Sequence, residues 1–416
     1  MTESKSQEPA PREFTTPAIL AALGGFCGLF CGVGFINAFG IFEEYYKANQ
    51  LAAESDSAIG WIGSVAILFI FGASVVSGYV LDRFGPGPML CFGSVGLVIA
   101  LMMTSLCHQL YQFILAQGLL LGLSIAFLTC PSLAIQAQYF RRRISLAMGI
   151  VISGSSTGGV IWPIAIRRMI ENPSLGFAWT MRIVGFIMIP LLAIACLFTR
   201  TNPKKAATVA VSNTETQIQT QKKDSALFSL PIILSCLSFF TIYFGMFAPF
   251  FYTTDYAISH GFSSSLAFYT VSIINGASFF GRILPGLLAD HVGKFNCCIV
   301  AAFLSGIIAC CWTTVSSVAG LVIFSAAYGF TSGAILSLQP ACAAQISTPS
   351  TRGFTIGLIM ASTSLSAMAG TPISGQLIES YGYLSLALYS GISLLIGSVF
   401  LAAARLSQNR NVWAVV

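Results

Sequence analysis

The sequence has few charged residues: Asp, Glu, Lys and Arg make up 8% of its 416 positions, against about 25% in soluble domains. This shortage excludes an ordinary soluble globular protein. A disordered chain is also excluded, because disorder requires low hydrophobicity and high charge, whereas 56% of these residues are hydrophobic. The hydrophobic residues occur in runs of about 20, the length of a helix that crosses a bilayer. The sequence therefore predicts an all-α membrane protein embedded in the lipid bilayer.

Residues that hold metals are scarce or poorly spaced. The three histidines, His108, His260 and His291, fall in predicted loops far apart in the chain. Twelve cysteines are present, but no C-x-x-C spacing occurs, and most cysteines lie within apolar runs as small packing residues. We therefore expect no metal site, no cofactor and no disulfide framework. The net charge of +6 does not indicate a nucleic-acid partner, because its main contributors lie where membrane topology favours them.

Hydropathy predicts twelve transmembrane helices in two groups of six. The predicted organisation is a polar leader at 1–17, a six-helix bundle at 18–199, a polar linker at 200–227, a second six-helix bundle at 228–404 and a tail at 405–416. An even number of spans places both termini on one side of the membrane.

The basic residues indicate which side that is. Fifteen of the twenty Lys and Arg residues lie on the side of the termini and the linker, whereas Lys47, Arg167 and Arg168 lie on the other. The positive-inside rule therefore predicts cytoplasmic termini and a cytoplasmic linker. We expect this multi-pass protein in the plasma membrane.

The two predicted bundles share a repeated pattern. Three residues that follow the second span recur 208 positions later, after the eighth: Gly78 as Gly286, Asp82 as Asp290 and Gly85 as Gly293. In later spans, Gly149 recurs as Gly357 after 208 positions, and Pro131 and Pro163 recur as Pro340 and Pro372 after 209. Two parallel six-helix repeats around a central cavity are typical of a transporter that works by alternating access.

The repeated loops also resemble a known signature. Residues 78–85, GYVLDRFG with Arg83 after the aspartate, and residues 286–294, GLLADHVGK ending in Lys294, resemble the two copies of the loop motif of the major facilitator superfamily. That resemblance implies a gating role for these loops, in which each aspartate pairs with an arginine or caps a helix of the other half.

A narrower resemblance covers nearly the whole chain from Ala18. Residues 139–149, YFRRRISLAMG, contain Arg141, Arg142 and Arg143 and are similar to the signature of the monocarboxylate transporter family, especially its fungal branch. Residues 34–46 and 281–286 agree with it. The three arginines are therefore expected to belong to the gating loops.

The resemblance implies a substrate site around Arg282. A charge in the middle of a span costs several kcal/mol unless it meets a partner or a wet cavity, and the matching arginine of the family binds the substrate carboxylate. A guanidinium suits this role because it presents a planar fork of donors and stays charged. The alternative is a structural arginine that pairs with Asp290, eight residues further along the chain.

Two positions depart from the family pattern. Asn37 replaces the first-span lysine, and Ser278 replaces the acidic residue four positions before the arginine. Neither side chain titrates near neutral pH, so we expect no proton coupling through this pair, although Asn37 can still bind a ligand. Further polar residues expected to line the cavity are Asn275, Gln339, Tyr243 and Tyr252.

These patterns predict a secondary active or facilitative transporter of a small organic anion, such as a carboxylate, or a related metabolite. The alternative within the same fold is an exporter of a secondary metabolite. Residues 154–158, GSSTG, also match the G-x-S-x-G pattern of serine hydrolases, but that motif needs a strand-to-helix elbow and a histidine base, and here it falls within a predicted helix. We interpret these residues instead as small residues that let helices pack closely. A channel would require rings of like charge or repeated filter residues, and none is visible in the sequence.

The charge asymmetry predicts the location of the linker. An epitope tag inserted within 200–227 should resist external protease in intact cells, because the linker is expected to lie in the cytoplasm. A tag inserted between Asn49 and Glu54, in the first loop of the opposite side, serves as the exposed control. External cleavage of the linker tag would contradict both the topology and the assignment of the repeat.

Overall fold

The computed structural model describes residues 13–201 and 229–411 and shows an all-helical membrane protein. The predicted leader up to residue 12, residues 202–228, which include most of the predicted linker, and the last five residues lie outside the described residues. Ten helical segments within the described ranges are long and apolar enough to cross a membrane. The expectation of an all-α membrane protein is therefore confirmed.

The first described range forms eleven α-helices and one π-helical segment. They are α1 (Thr16–Cys31), α2 (Val33–Ile36), α3 (Phe39–Ala48), α4 (Asp56–Gly72), α5 (Ser74–Phe84), α6 (Pro86–Thr104), α7 (Leu110–Phe113), the π-helical segment Ile114–Leu120, α8 (Leu121–Ala134), α9 (Gln136–Tyr139), α10 (Ile144–Ile170) and α11 (Gly176–Phe198). Several of these are consecutive pieces of one membrane segment: α1 to α3 form a single apolar stretch, Thr16–Ala48.

The second described range forms seven α-helices. They are α12 (Leu230–Met246), α13 (Ala248–Ser259), α14 (Ser264–Val292), α15 (Lys294–Cys310), α16 (Val318–Ile346), α17 (Arg352–Ser362) and α18 (Ser364–Gln408). Helix α18 bends sharply at Gly382, where φ is 77°, a conformation that glycine adopts without steric cost. The 45 residues of α18 therefore form two helices that meet at this glycine.

The first membrane segment is interrupted near its middle. Helix α1 ends at Cys31 and is followed by Gly32, and α2 ends at Ile36 and is capped by Asn37. Interrupted helices occur at membrane depth where they are buried in protein or line a cavity. The interruption places Asn37 at a helix end within the membrane segment.

Helices α5 and α17 pack with their backbones in direct contact. A Cβ atom on Gly78 would overlap the carbonyl oxygen of Gly353, and a Cβ on Gly357 would overlap that of Ser74. Glycine is therefore required at both positions for this approach.

The same contacts recur between α10 and α14. A Cβ on Gly149 would overlap the carbonyl oxygen of Arg282, and a Cβ on Gly286 would lie 2.8 Å from that of Ser145. Each of these four residues lies 208 positions from its counterpart in the contact between α5 and α17. The repeated pattern in the sequence thus corresponds to a repeated contact in space.

Each loop aspartate binds the first amides of a distant helix. The carboxylate of Asp82 accepts hydrogen bonds from the backbone N–H groups of Gly353 (2.9 Å) and Phe354 (2.8 Å) at the start of α17. A carboxylate at a helix N-terminus satisfies free backbone donors and interacts favourably with the helix dipole.

Asp290 makes the equivalent contact with α10. Its carboxylate accepts hydrogen bonds from the backbone N–H groups of Ser145 (2.9 Å) and Leu146 (3.0 Å). These amides are again displaced by 208 from Gly353 and Phe354. We call these two aspartates the paired latches, because each joins its loop to the first amides of a helix distant in sequence.

The paired latches predict a defect in conformational change. Asp82→Asn or Asp290→Asn should slow transport several-fold, because charge-assisted hydrogen bonds contribute about 1.5–3 kcal/mol each and their loss shifts the equilibrium between transport states. The measurement is the transport rate per molecule of inserted protein.

The control for this experiment is Glu44→Gln, which removes an exposed carboxylate from α3. We expect this variant to transport at the normal rate. Loss of folding in both aspartate variants, with no intermediate transport rate, would contradict a role in the conformational equilibrium.

Candidate functional site

Arg282 lies at the contact between α10 and α14. Its side chain is 4% exposed on α14. The Nη1 atom donates one hydrogen bond to the carbonyl oxygen of Ile152 at 2.8 Å and another, very short, to the hydroxyl of Ser155. Both partners belong to α10, so the guanidinium crosses the contact between α10 and α14.

The Ser155 hydroxyl is oriented to accept this bond. It donates to the carbonyl oxygen of Ile152 at 3.0 Å, which leaves its lone pairs for the guanidinium. Ser155 lies inside α10, a helix of 27 residues, and not at a strand-to-helix elbow. Its observed role is to bind Arg282, which the interpretation as small-residue packing did not foresee.

Arg282 is not paired with Asp290 among the described residues. The hydrogen bonds of Arg282 all go to α10, and the carboxylate of Asp290 is bound to the amides of Ser145 and Leu146. Among the described residues, no carboxylate bonds Arg282, and its Nε is buried without a hydrogen-bond partner. The positive charge is therefore met only by neutral oxygens.

Tyr243 and Gln339 form a buried pair beside Arg282. The Tyr243 hydroxyl, on α12, donates to Oε1 of Gln339, on α16, at 2.7 Å. This bond leaves Nε2 of Gln339 without a partner within the described part of the chain. Tyr243 is an electrostatic neighbour of Arg282, and the ring of Phe71, from α4, packs edge-on against it with centroids 5.2 Å apart. The two residues that neighbour Tyr243, Arg282 and Gln339, thus each have a donor without a partner among the described residues.

Asn275 and Ser278 lie at helix contacts. Asn275 donates from Nδ2 to the carbonyl oxygen of Val271 at 3.1 Å, and its Oδ1 faces α10 at Gly159. The hydroxyl of Ser278 faces α16 at Gly333. Contact of either residue with substrate stays a prediction.

Asn37 and Tyr252 are half-buried and bond their surroundings. Asn37 donates from Nδ2 to the carbonyl oxygen of Val33 at 2.9 Å, within its own helical turn. The Tyr252 hydroxyl donates to the carbonyl oxygen of Thr371 at 2.9 Å. Their roles in substrate binding also stay predictions. The described residues contain no group of three or more His, Cys, Asp or Glu that could hold a metal ion.

The remaining residues of the predicted gating loops lie at helix ends or on the surface. Gly85 and Gly293 end their helices with positive φ angles of 78° and 108°, and Lys294 begins α15. Arg83 is exposed, with its guanidinium carbon 5.5 Å from the ring centroid of Phe84. The gating role of these residues stays a prediction.

The three arginines before α10 bind a residue that the sequence did not single out. The carboxylate of Glu13 accepts hydrogen bonds from the backbone N–H groups of Arg141 (3.2 Å), Arg142 (2.7 Å) and Arg143 (3.2 Å). The ring of Phe14 packs edge-on against Phe140, with centroids 5.6 Å apart. The sequence offered one signal for this contact: Glu13 is an acid directly before the aromatic Phe14, and the loop with the three arginines is basic.

Comparison with known proteins extends over almost the entire chain. The family profile described as Major Facilitator Superfamily matches residues 24–338 and 286–414. The chain is 47% identical over 404 residues to the agnestins efflux protein AgnL12 of Paecilomyces divaricatus, covering 97% of this chain and 90% of that protein. It is 39% identical over 408 residues to the aspyridones efflux protein apdF of Emericella nidulans, covering 97% and 80%.

Solved structures share the fold at low sequence identity. The proton:xylose symporter XylE, bound to 6-bromo-6-deoxy-D-glucose, superposes with a TM-score of 0.72 at 14% identity, covering 93% of this chain and 94% of XylE. The human organic anion transporter MFSD10 gives a TM-score of 0.67 at 16% identity, covering 94% and 100%. At these identities, the likeness concerns the fold alone.

Proposed function

Because this chain belongs to the major facilitator superfamily and is a transmembrane transporter, we propose that it exports a metabolite that bears an anionic group. Two relatives are named efflux proteins, for agnestins and for aspyridones. These names favour the exporter of a secondary metabolite over uptake of a small carboxylate. The monocarboxylate-transporter-like assignment and the plasma membrane as the site of action remain part of this proposal.

The observation that carries the proposal is the unpaired charge of Arg282. A buried guanidinium bound only to neutral oxygens retains much of its desolvation penalty. A carboxylate or another anionic oxygen group on the substrate would offset that penalty, and Nε2 of Gln339 offers a further donor. The site therefore favours an anionic ligand over a neutral or cationic one.

We further infer twelve spans in two six-helix halves, 18–199 and 228–404, with both termini in the cytoplasm. Helix α15 has 17 residues and reaches roughly 26 Å, close to the thickness of a bilayer core. The bend at Gly382 divides the last membrane segment into two spans. The 208-residue relation between the paired latches supports the two halves.

Substitution of Arg282 tests the proposed ligand. In inside-out vesicles from cells that overproduce the protein, a panel of organic acids should include transported members, and their neutral methyl esters should not be carried. Arg282→Ala should nearly abolish transport of those acids. Arg282→Lys should weaken it about tenfold or more, because the bidentate donor fork is lost although the charge is kept.

The matched control is Arg405→Lys, at another buried arginine, 3% exposed, whose guanidinium binds neutral oxygens of Asn296, Asn409 and Asn411. We expect this variant to change the amount of protein and not the transport rate per molecule. Transport by Arg282→Ala at the normal rate and half-saturating concentration would show that Arg282 is structural and that the substrate need not be an anion.

The residues around Arg282 also predict how transport responds to a pH gradient. No titratable acid accompanies Arg282 at Ser278, and Asn37 cannot exchange a proton near neutral pH. Export of an acid that is fully ionised on both sides should therefore be insensitive to an imposed pH gradient in proteoliposomes. The double variant Asn37→Lys with Ser278→Asp should introduce or steepen a dependence on the gradient. Strong proton-driven accumulation by the unmodified protein would refute this expectation.

A further inference from the structure

We propose that the Ser155 hydroxyl and the Ile152 carbonyl compete with the substrate anion for the guanidinium of Arg282. They bind Arg282 while the face that carries the paired latches is closed, and they release it when that face opens. This inference rests on the proposed function, because it assigns a direction to an anion site at Arg282. Ser155 is a positioning residue in this scheme, since it acts through Arg282.

The first support is that the binding partners of Arg282 are on the other half of the molecule. Nη1 is occupied by Ile152 and Ser155 of α10, whereas Arg282 belongs to α14. The contact exists because α10 and α14 touch at Gly149, where a Cβ would overlap the Arg282 carbonyl oxygen. When alternating access separates these helices, the guanidinium loses both acceptors.

The second support is the state of the remaining donor edge. A guanidinium binds a carboxylate best through two parallel N–H groups, such as those of Nε and Nη2. Here Nε is buried without a partner among the described residues, so a ligand cannot reach this edge while the face is closed. The closed arrangement therefore disfavours anion binding at the preferred edge of Arg282.

An exchange of partners follows from these two features. A buried guanidinium requires acceptors in each state, because a bare charge inside the membrane is costly. In the open state, a substrate anion that enters from the cytoplasm provides these acceptors. On closure, Ile152 and Ser155 take the guanidinium back and the anion is released toward the opposite side. Thermodynamic linkage is reciprocal: the factor by which closure weakens anion binding is also the factor by which anion binding destabilises the closed state.

Hydrogen–deuterium exchange of the full-length protein in nanodiscs, without ligand, tests the closure. Ser155→Ala should raise the exchange of the Ser145 and Leu146 amides about tenfold or more, because closure loses one bond to a charged group. The amides of Gly353 and Phe354, held by the other latch, should rise by the same factor, since both latches open together. Ser155→Thr keeps the hydroxyl and should exchange like the unmodified protein.

Two further results decide whether Ser155 acts through Arg282. In an Arg282→Ala background, Ser155→Ala should add no further exchange, as expected for residues that share one interaction. Faster exchange confined to α10, or an unchanged pattern at both latches, would overturn the proposal, because a local packing defect does not open the distant latch.

Transport kinetics test the competition itself. For the acids carried in the Arg282 experiment, Ser155→Ala should lower both the maximal export rate and the half-saturating concentration about three- to tenfold, because the bound anion loses its competitor and leaves slowly. A half-saturating concentration that is unchanged or raised would overturn the exchange of partners. Failure of the proposed function would appear separately, as no acid carried or as normal transport by Arg282→Ala, while the exchange measurement still reports on Ser155.

Discussion

A permanent positive charge in a membrane must always have a partner, and this requirement at Arg282 connects the site to the conformation of the protein. The chain has little charge within its spans, and the described residues give the guanidinium only a carbonyl and a hydroxyl. Since desolvation of an ion costs several kcal/mol, any rearrangement that moves α14 away from α10 must supply new acceptors. The surroundings of Arg282 and the contact between α10 and α14 therefore cannot change independently.

The contacts that bring these groups together depend on missing side chains. At Gly78, Gly149 and Gly357 the carbonyl oxygen of the facing helix occupies the space of a Cβ. The backbones can then approach closely enough for a short aspartate to reach the amides of the other half. Because these contacts are made largely by backbone atoms, their separation would not require large side chains to repack.

Much of the fold could be predicted from the sequence, because bilayer thickness sets the length of apolar runs and duplication leaves a constant displacement. The acids of the paired latches were found in the same way. Their partners were not, because a backbone amide such as that of Gly353 has no sequence signature. Ser155 was interpreted as a packing residue for a similar reason: a hydroxyl in a glycine-rich helix does not reveal which helix faces it. Similarly, the sequence does not show which helices Asn275 and Ser278 face, because only the folded chain defines their neighbours.

The start of α10 is held from two sides, by Asp290 through the amides of Ser145 and Leu146 and by Glu13 through those of Arg141 to Arg143. Glu13 precedes α1, which packs with α10. The hydrogen bonds between Glu13 and the loop before α10 therefore do not involve α14. Withdrawal of Asp290 would therefore leave this loop held by Glu13. Renewed contact would be docking onto a preformed receptor, with little ordering entropy left to lose.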